Sequence, residues 1–420
     1  MQHLTERLGL EVANRRLHLV GGGIVAVRNV GETHNVIQTL PPPISRPQNR
    51  IEYIDAARGM AMCFACASHF AGHYLLPSGA HRQWMLMQTL SMLASPTFMI
   101  VSGVLIGYMY SVRPERFPAF RAKVVDRGLF LLIVGHLLIL IPKMVAQPQV
   151  PPHTWVLVTD VIGLSVVTIP WLMPLTRKWT RFWAGIALYA ASLWFRSEVS
   201  CNWPVACGLL WGGPPDINAG QLFPLMAWMP LYLVGTTLGE QIGTWRVAGG
   251  DREVAKRLAI LGLGLTFVTL LAWRVARVAV DPRGWSLILE WTNPWHKLPP
   301  GPAYFALQSG LGITLLATLA ALQAKAWAKP ILRLGTTLGR ASLFVFVLQF
   351  YVYNIGMRPI RTSYTNAWPV LLLLSIAFLF VAADLWNRKQ MNNYLTLGLE
   401  RRLSPRNVDA PPLFRKHGET

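Results

Sequence analysis

Charge is scarce in this chain: Asp, Glu, Lys and Arg make up 14% of its 420 residues, while 53% are hydrophobic. Soluble globular proteins carry about 25% charged residues, so a soluble multidomain enzyme is excluded. Acidic residues are the scarcer half, 19 against 39 Lys and Arg, for a formal charge of +20. The basic residues fall between long apolar runs instead of forming one face. That argues against nucleic-acid binding and for charge that sets membrane topology. Cysteine is scarce too, and four are too few for a disulfide scaffold. Cys63 and Cys66 sit in an apolar run, whereas Cys201 and Cys207 lie in a polar loop where a small disulfide-closed ring and two isolated thiols are both open. No apolar stretch of spanning length precedes Pro41, Pro42 and Pro43, so no cleavable signal peptide is expected and insertion should rest on internal segments.

Those segments are abundant. A spanning helix needs about 20 mostly apolar residues. Ten runs approach this, at roughly 54–76, 84–110, 128–142, 154–175, 182–195, 221–239, 258–275, 304–322, 339–357 and 369–386. The third and fifth are short, which leaves tilted pairs or re-entrant segments open there. With the N-terminus placed inside, 29 of the 39 Lys and Arg fall in inside segments, 9 outside, and Arg58 within the first run. This asymmetry follows the positive-inside rule. The expectation is an all-α polytopic membrane protein with about ten transmembrane helices and both termini cytoplasmic. A flexible cytoplasmic arm (1–49) should precede the ten-helix domain (50–390), and a basic cytoplasmic tail (391–420) should follow it. The longest outside loop, about 276–303, holds Trp285, Trp291, Trp295 and His296, which suit interface anchoring or stacking on a sugar.

Ionisable groups inside spans are costly and mark functional sites by default. The first run has the most. Asp55, Arg58, Met62, Cys66, His69 and His73 follow at spacings of 3, 4, 4, 3 and 4, which puts them on one helical stripe. The eleven steps from Arg58 to His69 amount to about three turns, a rise of about 16 Å. The stripe fits a polar track into the bundle, or a structural Asp55–Arg58 pair with hydrogen-bonded histidines. Cys63, Cys66, His69 and His73 have a zinc-like spacing, but one rigid helix cannot converge four such side chains on an ion, so no metal is expected. Further polar groups in apolar runs are His136, Asp160, Gln349 and Asp384. A basic loop, Arg113 to Arg127, precedes the third run.

The stretch Arg50-Ile-Glu-Tyr-Ile-Asp-Ala-Ala-Arg58-Gly59, followed by His69, resembles the opening of the transmembrane acyltransferase superfamily, with its Arg-x10-His arrangement. The segments Ser95 to Gly107, Phe223 to Gly235 and Leu338 to Gln349 are similar to later family segments, so the likeness covers roughly residues 50–390. Within the superfamily the chain looks closest to the acyltransferase 3 family and its relative that succinylates periplasmic glucans. This resemblance implies a multi-pass enzyme of the bacterial inner membrane. It would move an acyl group from cytoplasmic acyl-CoA, a donor substrate and not a bound cofactor, to a hydroxyl of an extracytoplasmic sugar or glycan. His69 would be the general base, with Arg58 and Asp55 at the cytoplasmic end of the donor site and Arg121, Lys123 and Arg127 holding donor phosphates. An acyl-His69 intermediate is the alternative chemistry. His73 and Gln349 are candidates for a second catalytic or acceptor contact, and many relatives carry histidine where this chain has Gln349. The rival from another class is a transporter or flippase using the same track, which should show paired broken helices in two related halves.

Overall fold

A computed structural model of the chain describes residues 15–20, 23–28, 51–76, 79–152, 155–199, 203–212, 223–279, 286–297, 300–360 and 365–403. Two units divide at Arg50/Ile51. In the first, strands β1 (Arg15–Val20) and β2 (Gly23–Arg28) pair antiparallel, with Arg15 opposite Arg28 and Val20 opposite Gly23.

The second unit is built from helices. Helix α1 (Glu52–Phe70) runs into a π-helical turn, Ala71–Leu75. It is followed by α2 (His81–Ser91), α3 (Ala94–Val112), α4 (Phe117–Phe130), α5 (His136–Ala146), α6 (Val158–Leu172), α7 (Lys178–Glu198) and α8 (Pro204–Leu210). The long α9 (Leu225–Ala279) precedes α10 (Ser286–Thr292), α11 (Pro302–Leu322), α12 (Lys329–Arg340), α13 (Ser342–Tyr351), α14 (Trp368–Arg388) and α15 (Glu400–Leu403). Each of the ten apolar runs falls on helix over most of its length. The two short runs prove to be parts of longer helical stretches, Pro114–Ala146 and Lys178–Glu198, because helix continues through their basic flanks. The expected basic loop is accordingly helix: Pro118 stands at the start of α4, where its missing N–H costs nothing, and α4 carries Arg121, Lys123 and Arg127.

Five described helical stretches are long and apolar enough to cross a membrane, or six if the pair Ala326–Arg340 and Ser342–Gly356, bent by 80°, counts as one span. Helix α9 has 55 residues, about 80 Å at 1.5 Å per residue, far beyond a core of about 30 Å. It is broken at Gly249 and Gly250, the latter at φ 68°, a conformation that favours glycine. Both halves lie along α11. Trp228 packs edge-on to Phe305 near its start, and Gln323 just past its end bonds Asp251 at 3.1 Å.

Lipid offers little hydrophobic drive for helix association, so helices approach through small residues that allow dense backbone contact. Gly59 of α1 faces the Gly335 carbonyl and Gly339 of α12 faces the Asp55 carbonyl, both so closely that a Cβ would overlap the backbone. Helices α3 and α9 meet in the same way at Gly103 and Gly235. Outer faces carry the large apolar side chains, among them Ile260, Phe267, Leu271 and Val275 on α9 and Leu373, Leu374 and Phe378 on α14. Those faces suit lipid, and the chain is a multi-pass membrane protein. Buried polar ties add specificity, such as Arg181 of α7 paired with Glu240 of α9.

Gly59→Ala should therefore cost about 1–3 kcal/mol through overpacking. Gly264→Ala, where nothing lies within 4 Å of an added Cβ, should not. Thermal unfolding of both variants in nanodiscs checks this, and an unchanged Tm for Gly59→Ala would contradict the packing.

Candidate active site

Helix α1 carries the expected stripe and divides it. Asp55, Met62 and Cys66 are buried, whereas Arg58, His69 and His73 are half-buried. Asp55 lies 3.9 Å from the Arg340 guanidinium at the end of α12. Arg58 Nη2 donates to Ser342 Oγ at 2.8 Å, across the α12–α13 bend, and its guanidinium stands 5.5 Å from the Phe98 ring centre.

Further along the same face, Met62, His69 and His73 line a cavity of about 330 Å³. The His69 and His73 rings are near-parallel with centroids 6.5 Å apart, and the Phe350 ring tilts over His69 at 4.7 Å. Two cations reach the same cavity, Lys143 from α5 and Lys297 from the loop before α11. Lys143 Nζ sits 4.4 Å from the Trp155 ring centre and 5.7 Å from that of Phe350. These aromatic faces hold an ammonium where water is limited. No carboxylate lines the cavity among the described residues. The walls are mostly apolar, with Phe98, Ile139, Trp155, Leu157 and Phe346 among them.

Several local devices fix this geometry. Ser68 Oγ donates to Gln88 Oε1 at 3.2 Å, and Gln88 Nε2 donates to the Ser68 carbonyl at 3.1 Å, which clamps α2 onto α1 at the cavity. Asp160 serves two masters: one oxygen accepts the Leu157 N–H at 2.7 Å and the other pairs with His136 Nδ1 at 2.7 Å. It thereby ties the wall at Trp155 to Val158 to α5, on which His136 and Lys143 share a face two turns apart. Tyr189 of α7 donates its hydroxyl to the Pro300 carbonyl at 2.7 Å, steadying the loop that presents Lys297. Burial pushes the Lys297 pKa below the usual lysine range. Three π-helical turns lie in the helices that line the cavity: Ala71–Leu75 carries His73 into it, Leu131–Gly135 leads into α5, and Val352–Gly356 follows Phe350. Such turns concentrate at functional sites because they re-aim side chains.

Other expected site residues lie elsewhere. Gln349 is fully buried, does not line the cavity, and neither of its side-chain polar atoms finds a hydrogen-bond partner among the described residues. Arg127 donates to the Asn392 carbonyl at 3.3 Å, and Arg121 stacks over Trp171 at 4.0 Å. Neither these nor Lys123 line the cavity. Cys207 is disulfide-bonded, Cys63 and Cys66 are free thiols, and Cys201 lies outside the described residues. Trp285 also lies outside them. Lys143, Lys297, Trp155 and Gln88 are the members of the site that sequence did not single out.

Residues 51–386 match the acyltransferase 3 family model, described as an acyltransferase domain. The chain belongs to the acyltransferase 3 family. No curated protein matches it. The match spans well over half of this acyltransferase and includes the whole cavity. Family membership speaks for an enzyme over a transporter. The one bent pair among the described helices, next to the break inside α9, does not form the matched set that a duplicated transporter would show.

Because only the protonated lysine attracts an anion and the Lys297 pKa is lowered, the charge should be lost as pH rises through a value below the ordinary lysine pKa of about 10.4. The affinity of the acyltransferase for a short-chain carboxylate should fall over that range, and Lys297→Arg should move the fall to higher pH. Calorimetric titration across pH checks this; an affinity that Lys297→Arg leaves on the same pH profile would contradict it.

Proposed function

We propose that this chain is an integral-membrane O-acyltransferase that carries an acyl group from cytoplasmic acyl-CoA to a hydroxyl of an extracytoplasmic sugar or glycan, with His69 as general base. The observation that carries the reading is His69 in an apolar-walled cavity that it shares with two lysines and, among the described residues, no carboxylate. Helix over most of each of the ten apolar runs, with the sixth and seventh on the two halves of α9, and 29 Lys and Arg inside against 9 outside, support ten spans with both termini cytoplasmic. In that frame Glu52 starts α1 near the cytoplasmic face. His69 stands about 25 Å further along the helix axis, past the middle of a core of about 30 Å.

The chemistry follows from the groups present. An acceptor hydroxyl beside His69 attacks the thioester carbonyl while the imidazole takes its proton. Negative charge develops on the former carbonyl oxygen, and Lys143 and Lys297 meet it in a medium where their attraction is poorly screened. The tetrahedral species collapses, the C–S bond breaks, and the departing thiolate recovers the proton from His69. Apolar walls limit water, which would otherwise compete as acceptor. His73, whose ring centre lies 6.5 Å from that of His69, is the second catalytic or acceptor contact in this reading. A two-step route through acyl-His69 uses the same atoms, with the imidazole nitrogen attacking first.

The test uses membranes bearing wild type, His69→Ala or Lys143→Gln at equal levels, supplied with acyl-CoA, with envelope glycans read by mass spectrometry. An acyl mass increment should appear with wild type. It should form about 10²–10⁴-fold more slowly with His69→Ala, the usual contribution of a general base. A loss of about 10²–10³-fold is expected with Lys143→Gln. An increment that persists at the wild-type rate with His69→Ala would sink the base assignment.

A further inference from the structure

Of the cations that the sequence offered for donor phosphates, Arg127 donates to the Asn392 carbonyl and Arg121 stacks over Trp171. A second concavity, of about 560 Å³, opens between the start of α1, helix α12 and the end of α14. Its walls carry Lys329, Arg333, Arg340 and Arg388 against two carboxylates, Glu52 and Asp384. Asp384 is already committed to Arg388 at 2.7 Å. Lys329 and Arg333 have no ion-pair partner among the described residues. They lie one turn apart on one face of α12, so both reach into the same space. Thr336 and Thr337 stand beside them in the wall, the Thr336 hydroxyl donating to the Arg333 carbonyl at 3.1 Å. A surplus of cations suits phosphate oxygens, which accept several charge-assisted bonds at once.

The position adds to this. Glu52 lines the cleft while Met62 and His69 line the cavity, so α1 joins the two concavities. Asp55 and Arg58 lie between them, held to Arg340 and Ser342 at the end of α12 and the start of α13. A ligand with its phosphates in the cleft and a thin arm along α1 would deliver the arm's end toward His69, about 25 Å away along the axis. We propose that this cleft, and not the basic face of α4, binds the nucleotide phosphates of the acyl-CoA donor. The proposal rests on the acyltransferase reading with a coenzyme A thioester as donor.

The experiment titrates coenzyme A into the full chain in nanodiscs of neutral phosphatidylcholine, with acyl transfer by the same preparations measured in parallel. The paired substitutions Lys329→Gln/Arg333→Gln should weaken coenzyme A at least about tenfold, as loss of two charge-assisted bonds implies. Arg121→Gln/Lys123→Gln should leave affinity within about twofold. Arg388→Gln, at an exposed side chain, provides a second cleft variant if the paired one unfolds. The reverse pattern, with affinity lost only on α4, overturns the cleft as the donor site. So does a wild-type chain that binds no coenzyme A. Repeating the titration in anionic nanodiscs separates the sources of phosphate: cleft substitutions that release anionic lipid but leave coenzyme A bound as tightly as before also overturn the proposal. If wild type transfers acyl groups while the cleft variants bind normally, only the cleft fails. If the cleft holds coenzyme A but wild type transfers nothing, only the acyltransferase reading fails.

Discussion

Backbone contact between α1 and α12 is the constraint on which the rest depends. Gly59 against Gly335, and Gly339 against the Asp55 carbonyl, leave no room for either helix to rotate or slide. In lipid that steric fit does the work that hydrophobic burial does in water. Once the two helices are locked, the face of α1 bearing Arg58 must look at the α12–α13 bend. His69, three turns on, must look into the space bounded by α5, α13 and the wall before α6. The bend itself contributes, because it supplies Ser342 to Arg58 and re-aims α13 so that Phe350 covers His69.

The cavity shows a division of labour between polarity and exclusion. Its cations are held by aromatic faces and loop contacts rather than by acids: Lys143 lies against Trp155 and Phe350, and Lys297 is presented by a loop that Tyr189 pins. A lysine paired with a carboxylate is already neutralised, whereas one resting on an aromatic face keeps its charge for an incoming anion. Asp160, beside the wall, is committed to the Leu157 N–H and to His136, where it shapes the wall and does not line the cavity. Asp55 is likewise spent at the other end of α1, beside Arg340.

Much of this was legible in the sequence, for definite reasons. Periodicity within one helix is local, so the stripe through Asp55, Arg58, Met62, Cys66, His69 and His73 could be read directly, and His69 and His73 do reach one cavity. Hydropathy located the helices, but it missed that helix runs on through Pro114 to Arg127 and that the ninth run is bent by 80°. What sequence could not supply is convergence. Lys143 and Lys297 are separated by half the domain and each resembled an ordinary charge at the edge of an apolar run. A lone lysine beside an otherwise apolar helix end was the available signal, and it is weak until the Trp155 ring is seen beneath it. On α4, by contrast, two side chains suited to phosphate contact the Trp171 ring and the carbonyl of Asn392, partners that lie far away in the sequence. Gln349 sits one residue from Phe350 and yet misses the cavity, because on a helix adjacent residues point about 100° apart.

The central claim is that the acyl group meets its acceptor in the His69 cavity. The most direct measurement is photo-crosslinking with a coenzyme A thioether whose acyl chain carries a diazirine, followed by peptide mapping of the labelled protein. Label on the α1 segment from Ala61 to His73 and on the neighbouring Phe346 to Phe350 and Trp155 to Val158 segments is the expected result. Label that avoids all three, and appears instead on the lipid-facing sides of α9 or α14, would contradict it.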